Sequence, residues 1–172
     1  MEFKVLPIRN KELFLRYAIP CGEVLVRRGE LGKELLGSLN AAVANGQEIG
    51  IPVEDIFKVA SRMCTIIAKR SGKAEIDDEV IRKYFLVEHE KAIMWRKSIH
   101  PDLSVADCRV YPGKVLRVDG DAALVMTPMG VKRLRTDFEG SLGKGDSVST
   151  HYSYIPERIS KAHMQRLMSK FR

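Results

Sequence analysis

The sequence predicts an α+β protein: a helical bundle over residues 1–102, followed by a small β-barrel with a C-terminal helix over residues 103–172. Three observations predict it. Apolar residues recur at helical spacing through the first part of the chain. The texture changes at His100-Pro101-Asp102, which reads as a linker. Beyond it come short alternating runs separated by turn signals.

The helices follow in order. Residues 10–19 suggest a short first helix stopped by Pro20. Over 31–44, Leu31, Leu35, Leu36, Leu39, Ala42 and Val43 fall on one face, and Asn45-Gly46 ends the run. Gly32 and Gly37 weaken that helix or let another approach closely. Over 53–70, Val53, Ile56, Phe57, Ala60, Met63, Cys64 and Ile67 form an apolar stripe that stops at Ser71-Gly72. A further helix over 78–97 has Asp77 or Asp78 as its cap and Val80, Ile81, Tyr84, Val87 and Met94 as core positions.

The strands follow. Lys114–Val118 alternates and ends in Asp119-Gly120, a hairpin signal. Ala122–Met126 and Val131–Thr136 come next, and Gly143–Asp146 introduces Ser147–Tyr152. A meander of this kind closes into a small barrel. The chain then predicts a helix over 157–170, with Ile159, His163, Met164 and Leu167 inward, packed against the barrel and covering an edge.

Composition narrows the function. The chain has 172 residues, 45% of them hydrophobic, and a net charge of +7. The charge is uneven: residues 1–107 carry 17 Lys and Arg against 16 Asp and Glu, a net +1, and residues 108–172 carry 12 against 6, a net +6. A basic module expects an acidic partner, either nucleic acid or an acidic protein face. No apolar run approaches the ~20 residues of a membrane span, and the N-terminus lacks a signal-peptide pattern. A cytoplasmic protein with no membrane partner is expected. Cys21, Cys64 and Cys108 form no CxxC pair, so neither a disulfide framework nor a zinc knuckle is expected.

Catalytic signatures are missing: the chain has no phosphate-binding glycine motif, no HExxH and no GxSxG. No nucleophile–base–orienter set is evident, so no catalytic residues and no enzyme activity are expected. In Val87-Glu-His-Glu90 adjacent side chains diverge around a helix and read as a solvated face. Cys64 reads as a core residue and Cys21 as a structural turn residue. Cys108 stands at the mouth of the β-module just before Pro112-Gly113, which reads as a turn, with Gly113 permitting a tight turn or a bulge. A thiolate there is a soft ligand for iron, copper or zinc and also a nucleophile.

The segment Cys108-Arg-Val-Tyr-Pro112-Gly113-Lys114-Val115 resembles the opening Cys-x-x-x-Pro-Gly-Lys/Arg-Val of the HypC/HupF hydrogenase-maturation chaperones. The resemblance continues through Val118-Asp119-Gly120, Ala122–Val125, Gly130–Arg133, Gly145-Asp146-Ser-Val148, His151-Tyr-Ser-Tyr154 and the closing helix. It implies an OB-like β-barrel with a C-terminal helix. It also implies binding to a HypD-like maturation protein or a hydrogenase large subunit, with iron as a transient cargo. Carried over by position, the metal ligands are Cys108 and His151, and the partner contacts are Cys108, Pro112, Gly113, Lys114, His151 and Tyr154. Two differences stand out: Cys108 is internal, whereas the family's cysteine is the second residue, and Ser153 replaces the family's glycine. Leu13–Pro20 resembles an Arg-Tyr-Ala-x-Pro run of an uncharacterised family, which implies no activity.

Hydrogenase maturation is thus the leading expectation, with Cys108 exposed and within about 10 Å of His151, as shared coordination requires. The alternative is a nucleic-acid-binding OB-type module, with Lys132, Arg133 and Arg135 as its cations and Tyr111, Tyr152 and Tyr154 as its only nearby aromatics.

Overall fold

The computed structural model describes residues 2–171, a mixed helix-and-sheet chain with its helices first and its sheet second. It divides into two compact units, Met1–Ala92 and Ile93–Arg172. The division falls inside a helix, ahead of the His100-Pro101-Asp102 stretch.

The first unit is helical. Asn10 caps α1 (Lys11–Ala18), its side chain accepting the Leu13 N–H. The helix does not stop at Pro20. Ile19–Cys21 continue as a 3-10 turn into α2 (Gly22–Arg27). Pro20 lies in the first turn of that segment, where its missing N–H costs nothing. α3 (Lys33–Ala44) buries Leu39 and Val43 and leaves Leu35 exposed. The close approach belongs to Gly22, not to Gly32 or Gly37: a Cβ on Gly22 would lie 2.4 Å from Leu36 Cδ1, and the other two have nothing near them.

The expected helix over 53–70 breaks at Phe57 into α4 (Val53–Ile56) and α5 (Lys58–Arg70). In α5, Cys64, Ile67 and Ala68 are buried and Ile66 is exposed, as one-faced burial requires. Asp77 caps α6 (Asp78–Arg82) by accepting the Val80 N–H at 3.0 Å. The helical path continues through a π-helical segment, Lys83–Glu88, into α7 (His89–Ile99). Val87 and Met94, expected in the core, are exposed. The π segment shifts the helical phase by a residue and brings Tyr84, Phe85 and Leu86 inward together. Phe85 then stacks on Tyr17 at 5.0 Å between ring centroids and meets Phe14 edge-on at 6.1 Å.

The second unit opens with a short turn of helix, α8 (Val105–Cys108), which the sequence reading misses; Ser104 caps it. Four antiparallel strands follow: β1 (Val110–Asp119), β2 (Ala122–Thr127), β3 (Gly130–Arg135) and β4 (Ser147–His151). Their order is β3-β2-β1-β4. The sheet is open, and among the described residues β3 and β4 do not pair with each other. Its core is Val115, Ala123, Val125, Leu134, Val148 and Ile155.

Pro112-Gly113 is not a turn. Both lie inside β1, opposite Ser149 and Val148 of β4. Pro112 precedes the residues of β1 that pair with β2, so its missing donor breaks no β1–β2 bond. The irregularity sits later, at Leu116, between Val115 and Arg117. The closing helix is shorter than expected: α9 runs Lys161–Ser169, and Arg158 makes a bridge with Val148. Leu167 is fully buried, whereas Met164 and His163 are half-buried.

No helix of the described residues is long and apolar enough to cross a membrane.

Candidate functional site at the mouth of the sheet

The β1–β4 pairing builds the site. Val110 lies opposite His151 and Tyr111 opposite Thr150. This register puts the end of α8 beside the end of β4. His151 Nε2 lies 3.1 Å from the Cys108 carbonyl oxygen, and the Cys108 thiol lies 2.6 Å from the Tyr152 hydroxyl. The two residues singled out as ligands, forty-three positions apart in sequence, are thus brought together.

Tyr152 is held in a costly conformation. It is the non-glycine residue with positive φ, at 52°, among the described residues. Such backbone is unfavourable for a bulky side chain by roughly 1 kcal/mol or more, and it concentrates where local geometry serves a purpose. Here it turns the phenol onto the Cys108 sulfur, while the His151 and Tyr152 rings sit 5.1 Å apart. Tyr111 braces the entrance. Its hydroxyl donates to the Ala106 carbonyl at 2.7 Å, and its ring meets Phe171 of the C-terminal segment at 5.1 Å.

Exposure departs from the sequence reading. Cys108 is 7% exposed and His151 is fully buried. The cysteine closes α8 and is covered by the Tyr152 hydroxyl, so the expected exposed thiol is an interior one. Pro112 and Gly113 are interior too. A Cβ on Gly113 would come within 2.4 Å of Val125 Cγ1 and 3.1 Å of Thr150 Cγ2, so glycine is required for β1 to pack this tightly. Tyr154 is buried, stacked on Phe138 at 5.1 Å, and takes a hydrogen bond from Arg135 at 2.8 Å. Its backbone bridges both Arg135 and His151. Of the six expected partner contacts, Lys114 alone is exposed.

Sequence reasoning passed over a second pairing. In the helical unit, Cys21 Sγ and a ring nitrogen of His89 lie within 4.8 Å. His89 is buried against Tyr84 and Phe85, and Cys21 follows Pro20 in the 3-10 turn. A thiolate and an imidazole suit a soft metal such as iron, copper or zinc, so this pair can contribute two ligands. The signal was there in Cys21 and in His89 of the Glu-His-Glu run, but no sequence spacing joins them. Cys64 is different: burial raises its thiol pKa well above the ordinary range, which makes it inert at neutral pH.

No family model matches the chain, and no curated protein matches it.

Proposed function

We propose that this protein is a hydrogenase-maturation accessory protein, binding a HypD-like maturation protein or a hydrogenase large subunit through the Cys108 end of β1. Iron is its transient cargo, taken by the Cys108 thiolate with His151 at hand. The observation that supports this reading is the meeting of Cys108 with His151 and Tyr152 at one end of the sheet. Two protein ligands make an incomplete site, as suits a carrier that must release what it holds. The OB-like barrel belongs to the same reading. Tyr154, bridged to β3 at Arg135 and to β4 at His151, offers a way to join the two edges of the open sheet.

In this reading the Tyr152 phenol caps the thiol until a partner arrives. Titrating the full chain with ferrous iron under anaerobic conditions tests the cargo assignment. Wild type is expected to bind and Cys108→Ala to lose binding, with both circular dichroism spectra the same. Equal binding by the two proteins would rule out Cys108 as the ligand.

A further inference from the structure

The outer face of the sheet carries a surface that the Cys108 reading does not use. Register places Lys114, Met126 and Val131 side by side across β1, β2 and β3, and Arg117, Leu124 and Arg133 side by side in the next row. Residues directly opposite in antiparallel strands share a face. The third row, Asp119, Ala122 and Arg135, contains the one carboxylate among these positions. That carboxylate lies 3.4 Å from Arg133 and 3.8 Å from Arg117, and Asp137 holds Arg135 at 2.6 Å. The face therefore keeps an excess of positive charge. In the first row the apolar members stay in water, Met126 and Val131 being 46% and 53% exposed, whereas Leu124 is half-buried and Ala122 buried.

β3 is also an edge strand. Among the described residues, the side of β3 away from β2 carries backbone pairing only at Arg135, which bonds Ser153 and Ile155. The stretch Gly130–Leu134 thus presents an open edge beside a basic and apolar face. The three rows contain no aromatic ring. Stacking of bases, the usual source of single-strand affinity, has no platform here.

We infer that the β3 edge and this face receive an extended segment of a partner protein, added as a further strand whose acidic and apolar side chains lie beside Arg133 and Val131, in the positive field that Arg117 reinforces. Main-chain pairing supplies affinity in such strand addition, and the facing side chains supply specificity. Because Arg117, Arg133 and Val131 lie outside the Cys108 end, the inference stands or falls separately from the iron reading.

Fluorescence anisotropy on the full chain tests it with a labelled peptide, Glu-Thr-Val-Thr-Glu-Thr-Val-Thr-Glu, whose alternate residues offer Glu and Val to one face. The inference expects binding that weakens at least about tenfold in the double variant Arg117→Glu, Arg133→Glu, and that is lost when alternate peptide nitrogens are methylated. It expects no binding by the twin peptide with Lys for Glu, and unchanged binding by Cys108→Ala. Circular dichroism checks that the double variant stays folded. Failure of the acidic peptide to bind would overturn the inference, as would equal binding by the double variant or by the methylated peptide. Tighter binding of an oligothymidylate would overturn it in favour of a nucleic-acid surface, and loss of peptide binding in Cys108→Ala would move the site to the other end of β1.

Discussion

Three cysteines sit in three environments, and the structure ranks their reactivity. Cys21 is half-buried, Cys108 is nearly covered, and Cys64 is fully enclosed with its thiol pKa pushed up by burial. Thiol labelling of the native protein is expected in that order, with Cys64 reacting only on unfolding. Tyr152→Gly is expected to speed labelling of Cys108 about tenfold or more, because it removes the covering phenol and suits a backbone already at positive φ. An unchanged rate would show that Tyr152 does not control access. Gly113→Ala is expected to cost about 1–3 kcal/mol in denaturant unfolding, since the added methyl meets Val125 and Thr150 inside the sheet. Gly22→Ala meets only the end of the Leu36 side chain, which can rotate, so a smaller loss is expected there.

At the scale of elements, the start of α6 shows how charge and capping combine. Asp77 accepts the Val80 N–H and pairs with Lys73 at 2.7 Å. Partial burial pushes its pKa up, but the hydrogen bonds from Lys73 and from the Val80 N–H outweigh it, and the net shift is down. The stability Asp77 contributes is therefore present above its ordinary value of about 3.9 and is lost as pH falls through its lower folded value. Asp77→Asn keeps a capping oxygen and removes the charge. It is expected to cost less than about 1 kcal/mol at neutral pH, because the pair is partly solvated, and to flatten the loss of stability below about pH 4. Asp77→Ala also removes the cap and is expected to cost about 1 kcal/mol. The strands were more legible than the helix ends. Alternation and turn signals found β2, β3 and β4 to within a residue or so and the later half of β1, whereas residues 110–113, buried on both faces and so without alternation, were missed. The break at Phe57, the π segment after Arg82 and the short α8 were not legible. Each is a local departure from helical periodicity, settled by packing of Phe57, Phe85 and Tyr111 rather than by spacing.

For the whole molecule, the order of helices before sheet could be read from the texture of the chain, and so could the concentration of positive charge in its later part. The candidate site was legible as a list, Cys108 and His151, but not as a structure. Burial of the thiol follows from the β1–β4 register and from the left-handed turn at Tyr152, and neither leaves a mark in composition. Pro112-Gly113 looked like a turn because both residues favour turns, yet Gly113 serves close packing inside β1. The proposed function puts a maturation partner at the Cys108 end of the sheet. Its most direct test is the affinity of the full chain for a purified HypD-like protein, measured for wild type and for Cys108→Ala. Wild type is expected to bind, and Cys108→Ala to weaken binding at least about tenfold, about 1.4 kcal/mol, while remaining folded. Equal affinity of the two proteins, or no binding by wild type, would contradict it.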